Sequence, residues 1–361
     1  MPALANAALA PPVRVLDGGG EVYPAMLAAI EGARREVRLE VYAFALDAAG
    51  ERFAAALGAA ARRGVQVDLV VDGLGSALDG RSLQTLLEPA GVRVRIFNPL
   101  RAVFLGHFRR NHRKLLLVDD EVAYLGGVNV GDEYEGGGEV EPGWADLAVE
   151  LRGPICAWLG RRLRRQQVRP LAGPVRLWLS GIGGGRPLRR RYLKAIGSAR
   201  RSVSIAHAYF LPDRRMVRTI TAAARRGVAV TLLLPGRSDV PFARSASMRL
   251  YRRLLAAGVR IHEWEGSVLH AKAAVVDGER MLIGSFNLDP LSLANLETLL
   301  EVHDQAAAGQ AERWIARHVA SARPVEADAV MNRSLLRRWV LDVAGSWAAR
   351  AARLTGRLLR R

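Results

Sequence analysis

His112-Arg-Lys-Leu-Leu-Leu-Val-Asp119 and His270-Ala-Lys-Ala-Ala-Val-Val-Asp277 are two copies of one pattern in a chain of 361 residues. In each copy His and Lys stand two apart, the spacing that turns both side chains to one face of a strand. Leu115–Val118 and Ala273–Val276 follow as unbroken apolar runs, expected for strands buried on both sides. Asp119-Asp120-Glu121 and Asp277-Gly278-Glu279 then read as tight turns. Beyond them come Val122–Leu125 and Arg280–Ile283, and after these Gly126-Gly127-Val128-Asn129 and Gly284-Ser285-Phe286-Asn287. Hairpins centred on those turns place His112 opposite Asn129 and His270 opposite Asn287. Each copy thus gathers a His, a Lys, an Asn amide and Gly-flanked backbone. A phosphodiester under attack needs that set: a nucleophile, a cation and neutral donors for its non-bridging oxygens. A lone His-x-Lys would be an ordinary packed or surface histidine. Two register-matched copies, holding two of the chain's three lysines (Lys114, Lys194 and Lys272), are not explained by packing.

Working outward, the duplication extends well past the motif. Glu36–Phe44 resembles Ser202–Phe210, Ala59–Val65 recurs unchanged at Ala222–Val228, and Ala90–Arg93 recurs at Ala257–Arg260. All are displaced by about 160 residues and keep the same order, so the chain contains two homologous halves. Val37–Phe44 and Val203–Phe210 read as strands. Phe53–Arg63 and Met216–Arg226 read as helices stopped by Gly64 and Gly227. Val65–Val71 and Val228–Leu234 are strands again. The predicted fold class is α/β: two halves, each a mixed β-sheet flanked by helices, related by a pseudo-twofold with the active site between them. The expected division is an N-terminal tail (1–12), a first half (13–169), a second half (170–330) and a C-terminal segment (331–361), the Arg-rich stretch Arg161–Arg169 with Pro170 marking the join.

Composition bounds the function. The chain is 50% hydrophobic and 24% charged, enough to bury a core and to exclude bulk disorder. One cysteine, Cys156, excludes an internal disulfide or a CxxC zinc cluster. No run of about 18 uncharged apolar residues suggests a spanning helix, and the Ala-rich start lacks the features of a secretory signal. A peripheral protein at the cytoplasmic face of the cell membrane is expected. Fifty-three Lys+Arg against 35 Asp+Glu give +18, which favours anionic partners: nucleic acid, acidic lipid or phosphate esters.

These motifs resemble the phospholipase D superfamily, whose signature is a duplicated HxKxxxxD followed by Gly-Gly or Gly-Ser and Asn. Gly126–Tyr134, Trp144-Ala-Asp-Leu147, Gly284–Asp289 and Asn295-Leu-Glu297 look like bacterial cardiolipin synthases of the shorter type, without paired N-terminal membrane helices. The resemblance implies a phosphatidyltransferase that forms cardiolipin from phosphatidylglycerol or another phospholipid donor through a phosphohistidine. His112 would be the nucleophile and His270 the acid/base, with Lys114, Lys272, Asn129 and Asn287 holding the phosphoryl oxygens. A carboxylate downstream of each motif, Asp146 and Glu297, would orient the histidines. Asp119 and Asp277 would serve the turns, and Gly126, Gly127, Gly284 and Ser285 the motif backbone. No cofactor or metal is implied. The partners expected are an anionic phospholipid surface, a phospholipid donor and an alcohol acceptor. A phospholipase D-type hydrolase and a nucleic-acid phosphodiesterase are the alternatives, with nucleic acid disfavoured and a monomer expected.

His107, His207, His262, His303 and His318 form no metal-ligand spacing, although His207 and Tyr42 could border the pocket. The segment 331–361 carries eight arginines against Asp342 and has helical apolar spacing. It reads either as a membrane-surface helix or as a helix docked on its own domain.

Overall fold

The computed structural model describes residues 13–99, 109–135, 142–166, 173–181 and 184–326. The tails 1–12 and 331–361, and His107, lie outside the described residues. The first half supplies β1 (Val13–Asp17), β2 (Glu36–Val41), β3 (Gln66–Asp72), β4 (Arg93–Phe97), β5 (Leu115–Val118), β6 (Val122–Gly126) and β7 (Leu147–Arg152), in the order β1-β7-β6-β5-β2-β3-β4. The second supplies β8 (Val175–Leu179), β9 (Ser202–His207), β10 (Ala229–Pro235), β11 (Arg260–Trp264), β12 (Lys272–Val276), β13 (Arg280–Gly284) and β14 (Thr298–His303). Their order, β8-β14-β13-β12-β9-β10-β11, repeats the first sheet, and β15 (Arg323–Pro324) adds to the edge at β11. In each sheet three parallel strands meet an antiparallel hairpin, and the motif strand, β5 or β12, sits at the junction.

Helices α1 (Gly18–Glu31), α2 (Ala48–Arg62), α3 (Gly80–Leu87), α4 (Asp132–Glu135) and α5 (Pro154–Leu163) belong to the first half, and α6 (Arg186–Gly197), α7 (Arg214–Arg225), α8 (Pro241–Leu255) and α9 (Gln305–Ser321) to the second. The equivalent crossovers α2 and α7 start earlier than the apolar spacing alone predicts, because Asp47 and Asp213 cap them. Asp47 accepts from Gly50 N–H, and Asp213 from the Arg215 and Met216 N–H groups. Both helices run out into glycines in left-handed backbone, Gly64 at φ 90° and Gly227 at φ 91°.

The hairpins carry one correction. Partners pair as Val118 with Val122 and Val276 with Arg280, one residue short of the expected register. Glu121 N–H closes onto the Val118 carbonyl around Asp119 and Asp120, both left-handed, and Glu279 closes likewise around Asp277 and Gly278. Pairing resumes only after an extra residue, Glu121 or Glu279. The hairpin ladders end at Leu115 with Leu125 and at Ala273 with Ile283, so neither asparagine faces its histidine across a ladder.

Alternation along the motif strands builds the core. Leu116 and Val118 face an outer cluster with α1 and α2, whereas Leu115 and Leu117 face a central cluster. Ala273 and Val275 enter that same central cluster from β12, together with Ile155 and Leu159 of α5 and Trp314 and Ile315 of α9. The halves therefore share one apolar layer. Helix α9 also reaches back to β1, where Trp314 Nε1 donates to Asp17 at 2.5 Å and Gln310 accepts from Val15 N–H at 3.1 Å. Among the described residues no helix is long and apolar enough to cross a membrane.

Candidate active site

Two short parallel bridges stitch the halves together, and each delivers a histidine to a carboxylate. Asn111 pairs with Leu296 and Ala145 with Leu269. His112 N–H donates to the Leu296 carbonyl at 2.9 Å, and His270 N–H to the Ala145 carbonyl at 2.8 Å. The residue after each bridge position is a motif histidine or the carboxylate it meets, so the side chains come together across the seam. His112 Nδ1 lies 3.2 Å from the Glu297 carboxylate and His270 Nδ1 lies 2.7 Å from Asp146 Oδ2. The expectation that each histidine takes the carboxylate downstream of its own motif is corrected for both: His112 takes Glu297, which follows the second motif, and His270 takes Asp146, which follows the first. The carboxylates are exchanged between halves, and neither half holds a complete dyad.

The small residues after the hairpins make room for this exchange. A Cβ on Gly127 would stand 2.3 Å from Asp146 Oδ1. The equivalent Ser285 instead donates to Glu297 through its hydroxyl. Gly126 and Gly284 lie against the Leu147 and Thr298 carbonyls, where a Cβ would come within 2.4 and 2.3 Å.

Both lysines are buried, and each Nζ donates to the carbonyl of its own motif histidine, Lys114 to His112 at 3.0 Å and Lys272 to His270. Burial pushes Lys272 down to about 8, against the pull of Asp146, and lowers Lys114 as well, with the charge of Lys272 adding to the effect. Burial raises Asp146 to about 7 and Glu297 to about 8, although lysines oppose the rise. The imidazoles are driven well below their ordinary value by burial and then by the lysines. Neutral imidazoles beside buried cations suit attack on an anionic diester: its negative charge, once bound, favours imidazolium formation.

The asparagines differ. Asn129 is held by its amide oxygen, which accepts from Ala43 N–H at 3.1 Å, and by Nδ2, which donates to Tyr134 OH at 2.6 Å. Asn287 is buried with its side-chain oxygen unbonded, and its backbone N–H donates to Ser292. Asp119 and Asp277 stand at the far end of their strands. Asp119 accepts from the Arg34, Arg35 and Glu36 N–H groups, and Asp277 from those of Arg200, Arg201 and Ser202.

Aromatic rings line the histidines. Tyr42 lies 4.9 Å from the His112 ring, with Lys114 Nζ 5.1 Å above it. Tyr134, Trp144 and Tyr209 lie 5.4, 5.5 and 6.2 Å from His270. His207 is paired in register with Lys272 and wholly buried, its ring nitrogens unbonded and its pKa pushed down to about 3 by burial. Sequence reasoning missed Tyr209 with its hydrogen-bond partner Asp239, and Asp289, whose charge acts on His112. All three sit on loops beyond strand ends, where no periodicity marks them. Among the described residues no cluster of His, Cys, Asp and Glu could hold a metal.

The family model described as "Cardiolipin synthase, PLD-like domain" matches residues 26–135 and 192–319, one block in each half. The chain belongs to this family. It is 35% identical over 319 residues to cardiolipin synthase B of Escherichia coli K12, covering 81% of this chain and 76% of the relative. It is 34% identical to the cardiolipin synthase B of Salmonella typhi over the same shares. Among solved structures, the phosphatidylserine synthase of Haemophilus influenzae superposes with a TM-score of 0.71 over 95% of this chain and 94% of that one, at 14% identity, a likeness of fold.

Proposed function

We propose that this cardiolipin-synthase family member is a phosphatidyltransferase that joins two phosphatidylglycerol molecules into cardiolipin, releasing glycerol, at the cytoplasmic face of the membrane. The observation that carries the reading is the exchange of carboxylates, which makes one site of two histidines. In the first step His112 Nε2 attacks phosphorus, a P–N bond forms and the P–O bond to the departing glycerol breaks. His270 gives its Nε2 proton to that oxygen. In the second step His270 takes the proton of an incoming phosphatidylglycerol hydroxyl, whose oxygen bonds to phosphorus as the P–N bond breaks. The shorter bond, 2.7 Å from His270 to Asp146 against 3.2 Å from His112 to Glu297, supports this assignment. A tighter carboxylate contact makes His270 the better proton carrier and leaves His112 the more neutral nucleophile. Lys114 and Lys272 supply fixed positive charge for the phosphoryl oxygens. The basic segment 331–361 would hold the enzyme to anionic lipid.

The test is mass spectrometry of the products formed by purified protein on phosphatidylglycerol vesicles. Cardiolipin is expected as the main lipid product, with glycerol equal to the sum of cardiolipin and phosphatidic acid. Inert lipids with efficient cleavage of DNA, a reading to which the charge of +18 lends itself, would overturn the proposal.

A further inference from the structure

The loops beyond β3 and β10 leave their strands in the same way. Gly73 N–H donates to the Phe97 carbonyl at 2.8 Å, and Gly236 N–H to the Trp264 carbonyl at 2.7 Å. Three residues on stand Ser76 and Asp239, and there the halves part. Ser76 is buried and spends its hydroxyl on backbone, accepting from Phe44 N–H at 2.9 Å and donating to the Tyr42 carbonyl at 3.3 Å. Asp239 is half-buried, and its Oδ2 accepts from the Tyr209 hydroxyl at 2.6 Å. In the duplicated segments Tyr209 takes the place of Ala43. The Tyr-Asp pair therefore stands beside His270 and has no counterpart beside His112. Asp239 Oδ1 accepts no hydrogen bond from the described residues. The Tyr209 ring spans the interval between this carboxylate and the histidine. Its centroid lies 6.2 Å from that of His270, in a wall that also holds Tyr134 and Trp144, 5.4 and 5.5 Å from the same imidazole.

We propose that Asp239 and Tyr209 form the subsite for the alcohol exchanged at His270, and that it selects a polyol. The Asp239 carboxylate accepts from the hydroxyl vicinal to the reacting oxygen, which itself lies at His270 Nε2. The inference rests on the phosphatidyltransferase reading and assigns a subsite within it. The one-sidedness of the pair carries it. Both histidines have a carboxylate and a lysine, but only the one that handles the alcohol proton needs a place for the rest of the alcohol. A carboxylate with a free oxygen is a strong acceptor for a hydroxyl, and the aromatic wall takes the carbon skeleton beside it. An ammonium alcohol is the other ligand that aromatic rings and a carboxylate can hold. Lys272 argues against it: its Nζ already stands 5.9 Å from the Tyr209 centroid, so a second cation on that ring would meet like charge, whereas glycerol is neutral. The departing glycerol and the incoming phosphatidylglycerol headgroup each carry a hydroxyl next to the reacting oxygen, so one subsite serves both steps. Asp239 binds the alcohol, and Tyr209 positions Asp239.

The experiment uses the full chain and dioctanoyl phosphatidyl-p-nitrophenol in micelles, a donor whose leaving group carries no free hydroxyl. Equal concentrations of 1,2-propanediol and 1-propanol compete for the phosphatidyl group, and chromatography of the initial lipid products gives the ratio of the two esters. That ratio reads acceptor selectivity alone, because a change in overall rate cancels from it. A second arm sets phosphatidylglycerol against phosphatidylpropanol as competing donors. The unaltered protein should favour the diol as acceptor and phosphatidylglycerol as donor. Asp239→Ala should lower both preferences by about tenfold or more. Tyr209→Phe, which removes a single hydroxyl and keeps the ring, should lower them in the same direction by less. Equal loss of both products in the variants, with the ratios unmoved, would make the pair structural and overturn the proposal. A preference for ethanolamine over 1,2-propanediol that vanishes in Asp239→Ala would overturn the polyol assignment, and a preference that moves in one arm only would overturn the shared subsite. Each of these leaves phosphatidyl transfer standing. Release of p-nitrophenol with phosphatidic acid as the sole lipid product at every alcohol concentration would overturn phosphatidyl transfer and the subsite with it.

Discussion

A histidine whose carboxylate comes from the other half of the chain does not act alone. His112 without Glu297, or His270 without Asp146, loses the group that fixes its tautomer and stabilises its imidazolium. His112→Ala and His270→Ala should each abolish turnover by several orders of magnitude, and the double variant should be scarcely worse, since the two act as a unit. Rapid-quench measurement of turnover checks this, and substantial activity in either single variant would exclude the mechanism. Asp146→Asn and Glu297→Gln keep shape and lose charge, so kcat should fall by about 10²–10⁴-fold with little change in KM. The pH profile adds a sign. Lys272, held down to about 8 by burial, loses its proton above that pH, so kcat/KM should decline on the alkaline side from about 8. Stability should move the other way. The unfolded lysine still binds its proton up to its ordinary 10.5, so the Lys272 contribution to folding stability rises with pH between about 8 and 10.5. Loss of activity in step with unfolding would show that Lys272 is not the cause. The histidines and lysines were legible in the sequence because duplication marks them. Tyr209, Asp239 and Asp289 were not, because each reaches the site from an irregular loop whose path depends on tertiary packing.

Among the elements, the motif hairpins hold the site to the sheet at the end away from the chemistry. Asp119 stands at the turn between β5 and β6 and gathers three backbone N–H groups at 2.8 Å from the entry to β2. Those hydrogen bonds keep its carboxyl below the ordinary range in spite of its partial burial. Asp119→Ala leaves those donors without their carboxylate and should cost about 2–4 kcal/mol of stability, with kcat of the folded enzyme nearly unchanged. Urea unfolding and steady-state assay, run on the same sample, separate the two effects. The folded carboxylate binds its proton less readily than the unfolded one, so its stabilisation is full above pH 3.8 and is lost as the solution is acidified below it. The aspartate at the end of HxKxxxxD is thus legible as a turn residue, but its role as a clasp on the neighbouring strand is not. Sequence shows the left-handed tolerance of Asp-Asp and Asp-Gly. It does not show that Arg34–Glu36 arrives alongside. The one-residue error in register has the same origin, since Glu121 and Glu279 carry no mark distinguishing a bulged position from a paired one.

At the scale of the molecule, the central layer joins two sheets through Leu115, Leu117, Ala273 and Val275, and the seam above it sets the histidines in a nearly closed site. The side chains of His112 and His270 are only 12% and 5% exposed. The repeat makes two halves legible, but the exchange of Asp146 and Glu297 is a property of how the halves face each other, and no local pattern records it. Enclosure bears on the last step of the proposed reaction. A phosphohistidine reacts with whichever hydroxyl reaches it, and water stands at about 55 M, so transfer prevails only if position and limited water access favour the lipid hydroxyl. In vesicles of pure phosphatidylglycerol the acceptor headgroups are dense at the mouth of the site, and the ratio of cardiolipin to phosphatidic acid should exceed one. Diluting the same lipid into detergent lowers acceptor density while leaving water unchanged, so the ratio should fall as phosphatidic acid rises, with total donor consumption much less affected. Chromatography of the lipid products over a dilution series measures both quantities. Phosphatidic acid dominant at every dilution would identify a hydrolase, and a ratio independent of dilution would mean that the acceptor binds in its own pocket instead of arriving from the surrounding lipid.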